Sequence, residues 1–248
     1  MIKSLVFDAY GTLFDVQSVA AVTNAAFPGH GDYITQVWRM KQLEYTWLRT
    51  LMDRYADFWT VTREALVYTL DTIGLTASQA VLDEVADAYN SLIAFPDVEQ
   101  TLASLGGYRL AILSNGSPAM LSALVRNSGL GRFLEVTMSV DGKRAFKPAP
   151  RAYEVVGETL GTLPEEILFV SSNSFDVSGA KSFGFKVAHI ARVPRIALQK
   201  EIAAVETIGP STMFKALRMQ EESYGYRPDI VISSLRELHE VASALNAA

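Results

Sequence analysis

Residues 4–15 read SLVFDAYGTLFD, a segment that begins as an apolar run and ends in polar residues. An uninterrupted apolar run such as SLVF is typical of a strand covered on both faces, as in a parallel sheet. Such a strand brings Asp8 to its carboxyl end, where open α/β sheets collect their functional side chains. Asp8 is therefore the first candidate functional residue, although an aspartate before Tyr-Gly-Thr can also serve only to cap a turn.

Further apolar segments predict more strands of the same kind. They are YRLAILSN from Tyr108, EVTMSV from Glu135, EILFVSSN from Glu166, FKVAHIAR from Phe185 and PDIVIS from Pro228. Between them, VEQTLASLG, PAMLSALVRNSG and PRAYEVVGETLG predict helices that end where Gly106, Gly129 and Gly161 adopt left-handed caps. Alternation of strand and helix predicts an α/β fold with a doubly wound, mostly parallel, Rossmann-like core sheet.

Two stretches interrupt this alternation with helical patterns. The segments DYITQVWRMKQLEYTWLRTLM, TREALVYTLDTIG and SQAVLDEVADAYNSLI fill the chain between the first two core strands. They predict an inserted helical cap over residues 15–91, with the core formed by residues 1–14 and 92–248. Trp38 and Phe58 of this cap are expected to be core residues. A second helical excursion, about residues 194–227, separates two core strands and is a candidate dimerisation element.

Composition excludes several classes of function. The chain has 248 residues, no cysteine, three scattered histidines and a formal charge of −5. These features exclude disulfides and a cysteine nucleophile, and they argue against a histidine metal cluster and against a nucleic-acid partner. No apolar run approaches the ~20 residues of a membrane span. We therefore expect a cytoplasmic protein without a membrane partner.

Four polar clusters follow predicted strands: residues 8–12, Ser114 with Asn115, Lys147, and residues 171–176. Each has an ordinary explanation when it is taken alone. Ser114 and Asn115 can cap a helix, and Lys147 can be a solvated loop lysine. The order, spacing and placement of the four clusters together are the specific signal.

The segments FDAYGTLFD, ILSNGS, FKPAP and FVSSNSFDVSGAKSFGF, in this order, resemble the haloacid dehalogenase-like superfamily. The resemblance runs from Met1 to about the last strand. It implies that Asp8 is a nucleophile, as in a superfamily whose members are mostly magnesium-dependent phosphatases. Two positions depart from the phosphatase pattern: Tyr10 replaces the acid that protonates the leaving group, and Ser172, aligned on Asp176, replaces a magnesium ligand.

Both replacements have one chemical explanation. A leaving group that is a stable anion needs no proton, and a carbon electrophile needs no magnesium. The pattern closely resembles the L-2-haloacid dehalogenases. The resemblance implies hydrolysis of short-chain (S)-2-haloalkanoates to (R)-2-hydroxyalkanoates, through an Asp8 ester and with inversion at C2. It also implies that no cofactor or metal is needed.

The resemblance assigns three groups of site residues. The catalytic group is Asp8, Thr12, Arg39, Lys147, Tyr153, Ser171, Asn173 and Asp176, with Thr12 and Ser171 as expected hydrogen-bond partners of Asp8. The substrate carboxylate is expected at Ser114, Asn115 and backbone N–H groups around Tyr10, including Ala9. Halide is expected at Arg39, Asn115 and the ring edge of Phe175. Periodicity alone leaves Arg39 as a surface arginine on an amphipathic helix, and Tyr153 has core packing as its alternative.

Three other functions stay open on sequence grounds. They are a magnesium-dependent phosphatase, a phosphonate hydrolase with a Schiff-base lysine in the cap, and a catalytically silent module that binds small anions. Retention of Asp8, Thr12, Arg39, Asn115, Lys147 and Asp176 together argues against the silent module. The segment MFKALRMQ and the cap helices offer apolar surface for a homodimer.

Overall fold

The computed structural model describes residues 1–247, which form an α/β fold. The strands are β1 (Ser4–Phe7), β2 (Phe14–Asp15), β3 (Ile93–Ala94), β4 (Arg109–Ser114), β5 (Val136–Ser139), β6 (Ile167–Ser171), β7 (Lys186–Ile190) and β8 (Ile230–Ile232). The helices are α1 (Ala20–Ala26), α2 (Gly31–Leu51), α3 (Phe58–Asp71), α4 (Gln79–Asp87), α5 (Val98–Ser104), α6 (Pro118–Ser128), α7 (Pro150–Leu160), α8 (Ser174–Phe183), α9 (Arg195–Ala203), α10 (Pro210–Arg218) and α11 (Leu238–Ala247).

The core of the described chain is a six-stranded sheet with the order β5-β4-β1-β6-β7-β8, and each neighbouring pair is parallel. The predicted mostly parallel α/β core is therefore confirmed. All four residues of β1 are buried, which explains why its sequence is apolar without alternation.

The topology decides where functional residues meet. The chain runs from β1 outward to β4 and β5, then returns to β6 on the other side of β1. This reversal of direction creates a crevice at the carboxyl ends of the strands on either side of β1. Phe7 is in register with Ile112 of β4 and Val170 of β6, so the residues that follow all three strands reach the same edge.

Helices α1 to α4 lie between β2 and β3, in the region of the predicted cap. The two short strands pair antiparallel, Phe14 with Ala94 and Asp15 with Ile93, so the chain enters and leaves this helical region at one place. Trp38 and Phe58 are fully buried, as expected for core residues. The limits 15–91 for the cap stay a prediction.

The second excursion is also helical, but α9 and α10 are separate helices with a break over residues 204–209. Helix α10 packs against α2, and its Phe214 is buried. The excursion therefore contacts the helix that carries Arg39. Among residues 1–247, no helix combines the length and the apolar character that a membrane crossing requires.

Two of the three predicted glycine caps are present. Gly129 and Gly161 have φ of 71° and 61° after α6 and α7. The prediction for Gly106 is wrong, because α5 already ends at Ser104. The buried Leu105, whose N–H donates to the carbonyl of Leu102, closes the helix with a tight turn before the glycine is reached.

Candidate active site

Asp8 follows β1 directly and is buried at the crevice. Its Oδ1 accepts a hydrogen bond from Lys147 Nζ at 2.8 Å, and its Oδ2 accepts from Thr12 Oγ1 and Asn173 Nδ2, both at 2.9 Å. An ionised carboxylate only accepts hydrogen bonds, and here donors reach both of its oxygens. The Asp8 side chain is thus held in one orientation by three donors from separate parts of the chain.

Lys147 is 1% exposed and is shared between two carboxylates. Its Nζ donates to Asp8 Oδ1 at 2.8 Å, to Asp176 Oδ2 at 2.7 Å and to the carbonyl of Leu113 at 3.1 Å. Burial lowers the pKa of Lys147, but the charges of Asp176 and Asp8 outweigh burial, so its pKa lies above the usual value. Lys147 is therefore a fixed cation with all three donors used, which excludes the solvated-loop alternative.

Asp176 stands in the first turn of α8 and is fully buried. Its Oδ1 accepts from the Tyr153 hydroxyl at 2.8 Å, while its Oδ2 accepts from Lys147. Burial raises the pKa of Asp176, Lys147 opposes that rise and Asp8 adds to it. Tyr153 is both a buried core residue and a hydrogen-bond donor to Asp176, and its catalytic role stays a prediction.

The residues after β4 and β6 support this group. Asn115 Oδ1 accepts from the backbone N–H of Lys147 at 2.9 Å, and Ser114 Oγ accepts from the N–H of Gly116 at 3.1 Å. The expected bond from Ser171 to Asp8 is not formed. Instead, Ser171 Oγ accepts from the N–H of Asn173 at 3.2 Å, and Asn173 itself reaches Asp8. Because Ser171 ends a fully buried strand, its side chain supports the neighbouring loop.

The turn after Asp8 is built by backbone hydrogen bonds. The carbonyl of Ala9 accepts from the N–H groups of Thr12, Leu13 and Phe14, and Gly11 has a φ of 91°. A side chain at Gly11 would be strained at this φ, and its Cβ would lie 3.3 Å from Ser172 Oγ. The role of the Ala9 and Tyr10 N–H groups toward a substrate stays a prediction.

Arg39 is not a surface residue, because it is only 4% exposed in the middle of α2. Its Nη1 donates to Gln42 Oε1 at 2.6 Å, and Gln42 Nε2 donates to Thr62 Oγ1 at 2.6 Å. Its guanidinium forms no ion pair with any carboxylate of residues 1–247. A buried charge without a counter-charge is costly, so this position favours an anion.

Two tyrosines lie beside this guanidinium. The Arg39 Cζ is 5.9 Å from the centroid of the Tyr10 ring, and the Tyr10 and Tyr89 rings are 6.0 Å apart. Neither hydroxyl makes a hydrogen bond of normal geometry in the described chain. Burial raises the pKa of Tyr10 well above its usual value and that of Tyr89 to about 12, with Arg39 opposing both rises. Both are therefore neutral phenols, able to donate to an anion.

A cavity of about 20 Å³ is lined by Arg39, Tyr10, Gly11, Ser172 and Asn173 together with side chains from α10. This volume corresponds to about one water-sized sphere. Phe175, predicted to bind halide, is not among the residues that line this cavity. Its ring packs edge-on against Trp47 with centroids 5.2 Å apart, on the wall of a neighbouring cavity of about 530 Å³.

Ser172 has a role in holding two loops together. Its Oγ donates to the carbonyl of Gly11 at 2.8 Å, and its N–H donates to Thr12 Oγ1 at 2.9 Å. Across residues 1–247, no three carboxylate or imidazole side chains converge as a metal site would require. The expectation of metal-independent chemistry stays a prediction.

Several residues of the site were not predicted from the sequence. Gln42 and Tyr89 surround Arg39, and Arg192 lines the small cavity while it donates to the carbonyl of Thr12 and to both oxygens of Asp97 at 2.9 Å. Gln42 lies three residues after Arg39 on α2, so helical spacing could have indicated it. Tyr89 and Arg192 belong to no local motif, and only the proximity of distant segments brings them to the site.

Comparison with known proteins places this geometry in context. A model of the haloacid dehalogenase-like hydrolase family matches residues 2–184. The chain is 58% identical over 248 residues to an (S)-2-haloacid dehalogenase of Xanthobacter autotrophicus, with 100% of this chain and 98% of that protein covered. It is 45% identical over 194 residues to (S)-2-haloacid dehalogenase 4A of Burkholderia cepacia, covering 77% of this chain and 84% of that protein.

A solved structure of a haloacid dehalogenase is also similar to this chain. The L-2-haloacid dehalogenase from Xanthobacter autotrophicus, with chloropropionic acid covalently bound, matches with a TM-score of 0.94 at 58% identity. The match covers 98% of this chain and 99% of that chain.

Proposed function

The chain belongs to the haloacid dehalogenase-like hydrolases, and from this premise we propose that it hydrolyses short-chain (S)-2-haloalkanoic acids to (R)-2-hydroxyalkanoic acids and halide. It is thus a hydrolase that acts on carbon–halide bonds. The observation that carries the proposal is a buried Asp8 held by Lys147, together with a buried Arg39 that lacks a carboxylate partner and lies over the ring of Tyr10.

In the first step, an oxygen of Asp8 attacks C2 of the substrate. The C2–halogen bond breaks, its electron pair leaves with the halide, and an ester joins Asp8 to C2. Attack from the side opposite the leaving group inverts C2. Lys147, Thr12 and Asn173 orient the carboxylate for this attack. The relative with covalently bound chloropropionic acid supports a covalent intermediate.

The departing halide takes up negative charge as the bond breaks. Arg39 stabilises that charge in a site with little room for water, where fixed donors act strongly. The neutral hydroxyl of Tyr10, which lines the same cavity, is a further donor, and we assign the Asn115 amide to the halide as well. A halide leaves without a proton, so a tyrosine at position 10 is compatible with the reaction.

In the second step, water attacks the carbonyl carbon of the Asp8 ester. The bond between that carbon and the ester oxygen breaks, which releases the 2-hydroxyalkanoate and regenerates Asp8. Asp176 positions Lys147 and the attacking water, and Tyr153 and Lys147 hold Asp176 in place. One proton of the water goes to the departing alkoxide, which becomes the 2-hydroxyl group, and the other is released to solvent.

A phosphonate hydrolase fits the chain less well. Lys41 is the lysine that the sequence offers within the predicted cap. Its Nζ donates to Glu44 Oε2 at 2.9 Å, and this bond raises the pKa of Lys41. A Schiff-base lysine must offer a free amine to its substrate, whereas Lys41 is paired with Glu44 on a partly exposed face of α2.

The direct test is halide release from each enantiomer of 2-chloropropionate, with and without EDTA. We expect release from the (S) enantiomer at the same rate in both conditions, because Ser172 is engaged in loop contacts and a carbon electrophile needs no magnesium. The product should be the (R)-2-hydroxy acid on a chiral column. An absolute magnesium requirement, or faster hydrolysis of an aryl phosphate, would contradict the proposal.

We also propose that the chain forms a homodimer in the cytoplasm. Support for the dimer comes from apolar side chains on α2 and α10, where Leu51 is 82% and Leu217 47% exposed. A sequence without cysteine fits a reducing compartment. Sedimentation at micromolar concentration should give twice the chain mass, and a monomer there would refute the dimer.

A further inference from the structure

Arg218, the last residue of α10, lies at the junction of two cavities. It lines the cavity of about 20 Å³ together with Arg39, and it also lines the cavity of about 530 Å³ together with Trp47 and Phe175. Helix α10 comes from the second excursion, which the sequence offered only as a dimerisation element. The excursion therefore supplies a charged side chain to the wall of the candidate active site.

Two buried donors at this junction have no partner. Arg218 forms no ion pair with a carboxylate of residues 1–247, and its Nε is buried without a hydrogen bond. The indole Nε1 of Trp47 is also buried and unpaired, and the Arg218 guanidinium lies 5.1 Å from the centroid of the Trp47 ring. Both groups can only donate hydrogen bonds. A ligand that satisfies them must therefore supply acceptor atoms, as an anion does.

The formal charges around Asp8 cancel. Lys147 pairs with both Asp8 and Asp176, Arg39 adds a second positive charge without an ion pair, and Arg192 pairs with Asp97. The site is then neutral before Arg218 is counted, and a bound haloalkanoate would bring it to one negative charge. Arg218 supplies the missing positive charge at the edge of the small cavity.

We propose that Arg218 and Trp47 form a second small-anion position on the route between the larger cavity and Arg39. It holds either the carboxylate of the incoming 2-haloalkanoate or the departing halide, so this inference rests on the proposed function. The aromatic rings of Trp47 and Phe175 provide an apolar wall for the alkyl part of the substrate. The competing explanation is structural, in which Arg218 only stabilises the carboxyl end of α10 and stacks on Trp47.

Arg218→Gln and Trp47→Phe test the proposal against Arg126→Gln. Arg126 matches Arg218 in charge and in its place in the last turn of a helix, but it lies on α6 and lines a different cavity. We expect Arg218→Gln to lower kcat/KM about tenfold, an effect typical of lost electrostatic steering, with a smaller change in kcat. Arg126→Gln should leave both values unchanged. Trp47→Phe keeps an aromatic ring but removes the indole donor, and it tests the site if Arg218→Gln does not fold.

Binding measurements distinguish the two possible anions and do not depend on turnover. Calorimetric titration with propionate, which has no halogen to lose, reports the carboxylate, and titration with bromide reports the halide. Weaker propionate binding by Arg218→Gln supports a position for the incoming carboxylate, and weaker bromide binding supports one for the departing halide. If both ligands bind all variants as they bind the parent protein and kcat/KM is unchanged, the proposal is wrong. If the parent protein releases no halide, the proposed function fails, while the titrations still test the anion position.

Discussion

Halide release from (S)-2-chloropropionate should fall by at least about four orders of magnitude in Asp8→Asn, because the variant lacks the nucleophile. Asparagine has nearly the same size, so the loops that contact Asp8 keep their packing. Its amide nitrogen replaces one of the carboxylate oxygens that now accept from Lys147, Thr12 and Asn173. The loss is expected in kcat and should be measured by halide release at saturating substrate.

Asp57→Asn is the matched control for this experiment. Asp57 caps α3, where its Oδ1 accepts from the N–H of Thr60 at 2.9 Å, and asparagine can make the same cap. The same change from carboxylate to amide should therefore leave turnover unchanged at this position. If the turnover of Asp8→Asn lies within tenfold of that of the parent protein, Asp8 is not the nucleophile.

Arg39→Gln is expected to lower kcat by about 10²–10³, the effect typical of removing one group that stabilises developing charge. The charge on the halide grows as the C2–halogen bond breaks, so Arg39 contributes more in the transition state than in the bound substrate. For this reason kcat should fall more than KM rises. Steady-state kinetics with 2-bromopropionate and 2-chloropropionate measure both values.

Arg49→Gln provides the control on the same helix. Arg49 lies near the end of α2 and pairs with Glu64 at 2.5 Å on a more exposed surface. Exposed pairs contribute little to stability, so this variant should behave as the parent protein does. Near-normal turnover in a folded Arg39→Gln would make Arg39 a structural residue, held only by Gln42.

Much of the core could be predicted from the sequence because its signals are local. An apolar run without alternation identifies β1 as a buried parallel strand, and the register of the sheet then brings Asp8 and the residues after β4 and β6 together. The motifs predict Lys147 and Asp176 as site residues. In the structure, Lys147 Nζ lies 2.8 Å from Asp8 Oδ1 and 2.7 Å from Asp176 Oδ2.

The remaining features depend on contacts between distant segments. Gln42 is an exception, since it lies three residues after Arg39 on α2 and helical spacing brings the two together. Tyr89 comes to Arg39 because its ring packs edge-on against Trp38 of α2, and Arg218 reaches the cavity beside Arg39 from a helix far along the chain. No periodicity or spacing encodes such contacts. The resemblance also predicts Ser171 as a hydrogen-bond partner of Asp8. In the structure, the turn after β6 directs Asn173 toward Asp8 instead.

A single turnover in H₂¹⁸O, with enzyme in excess over (S)-2-chloropropionate, tests the central claim that Asp8 forms an ester with C2. If Asp8 attacks carbon, one of its own oxygens leaves in the product and is replaced from water when the ester is cleaved. Mass spectrometry should then find ¹⁸O in the peptide that contains Asp8, and the first-turnover (R)-2-hydroxypropionate should carry none. Label in that first product, with an unlabelled Asp8 peptide, would show direct attack by water and contradict the account.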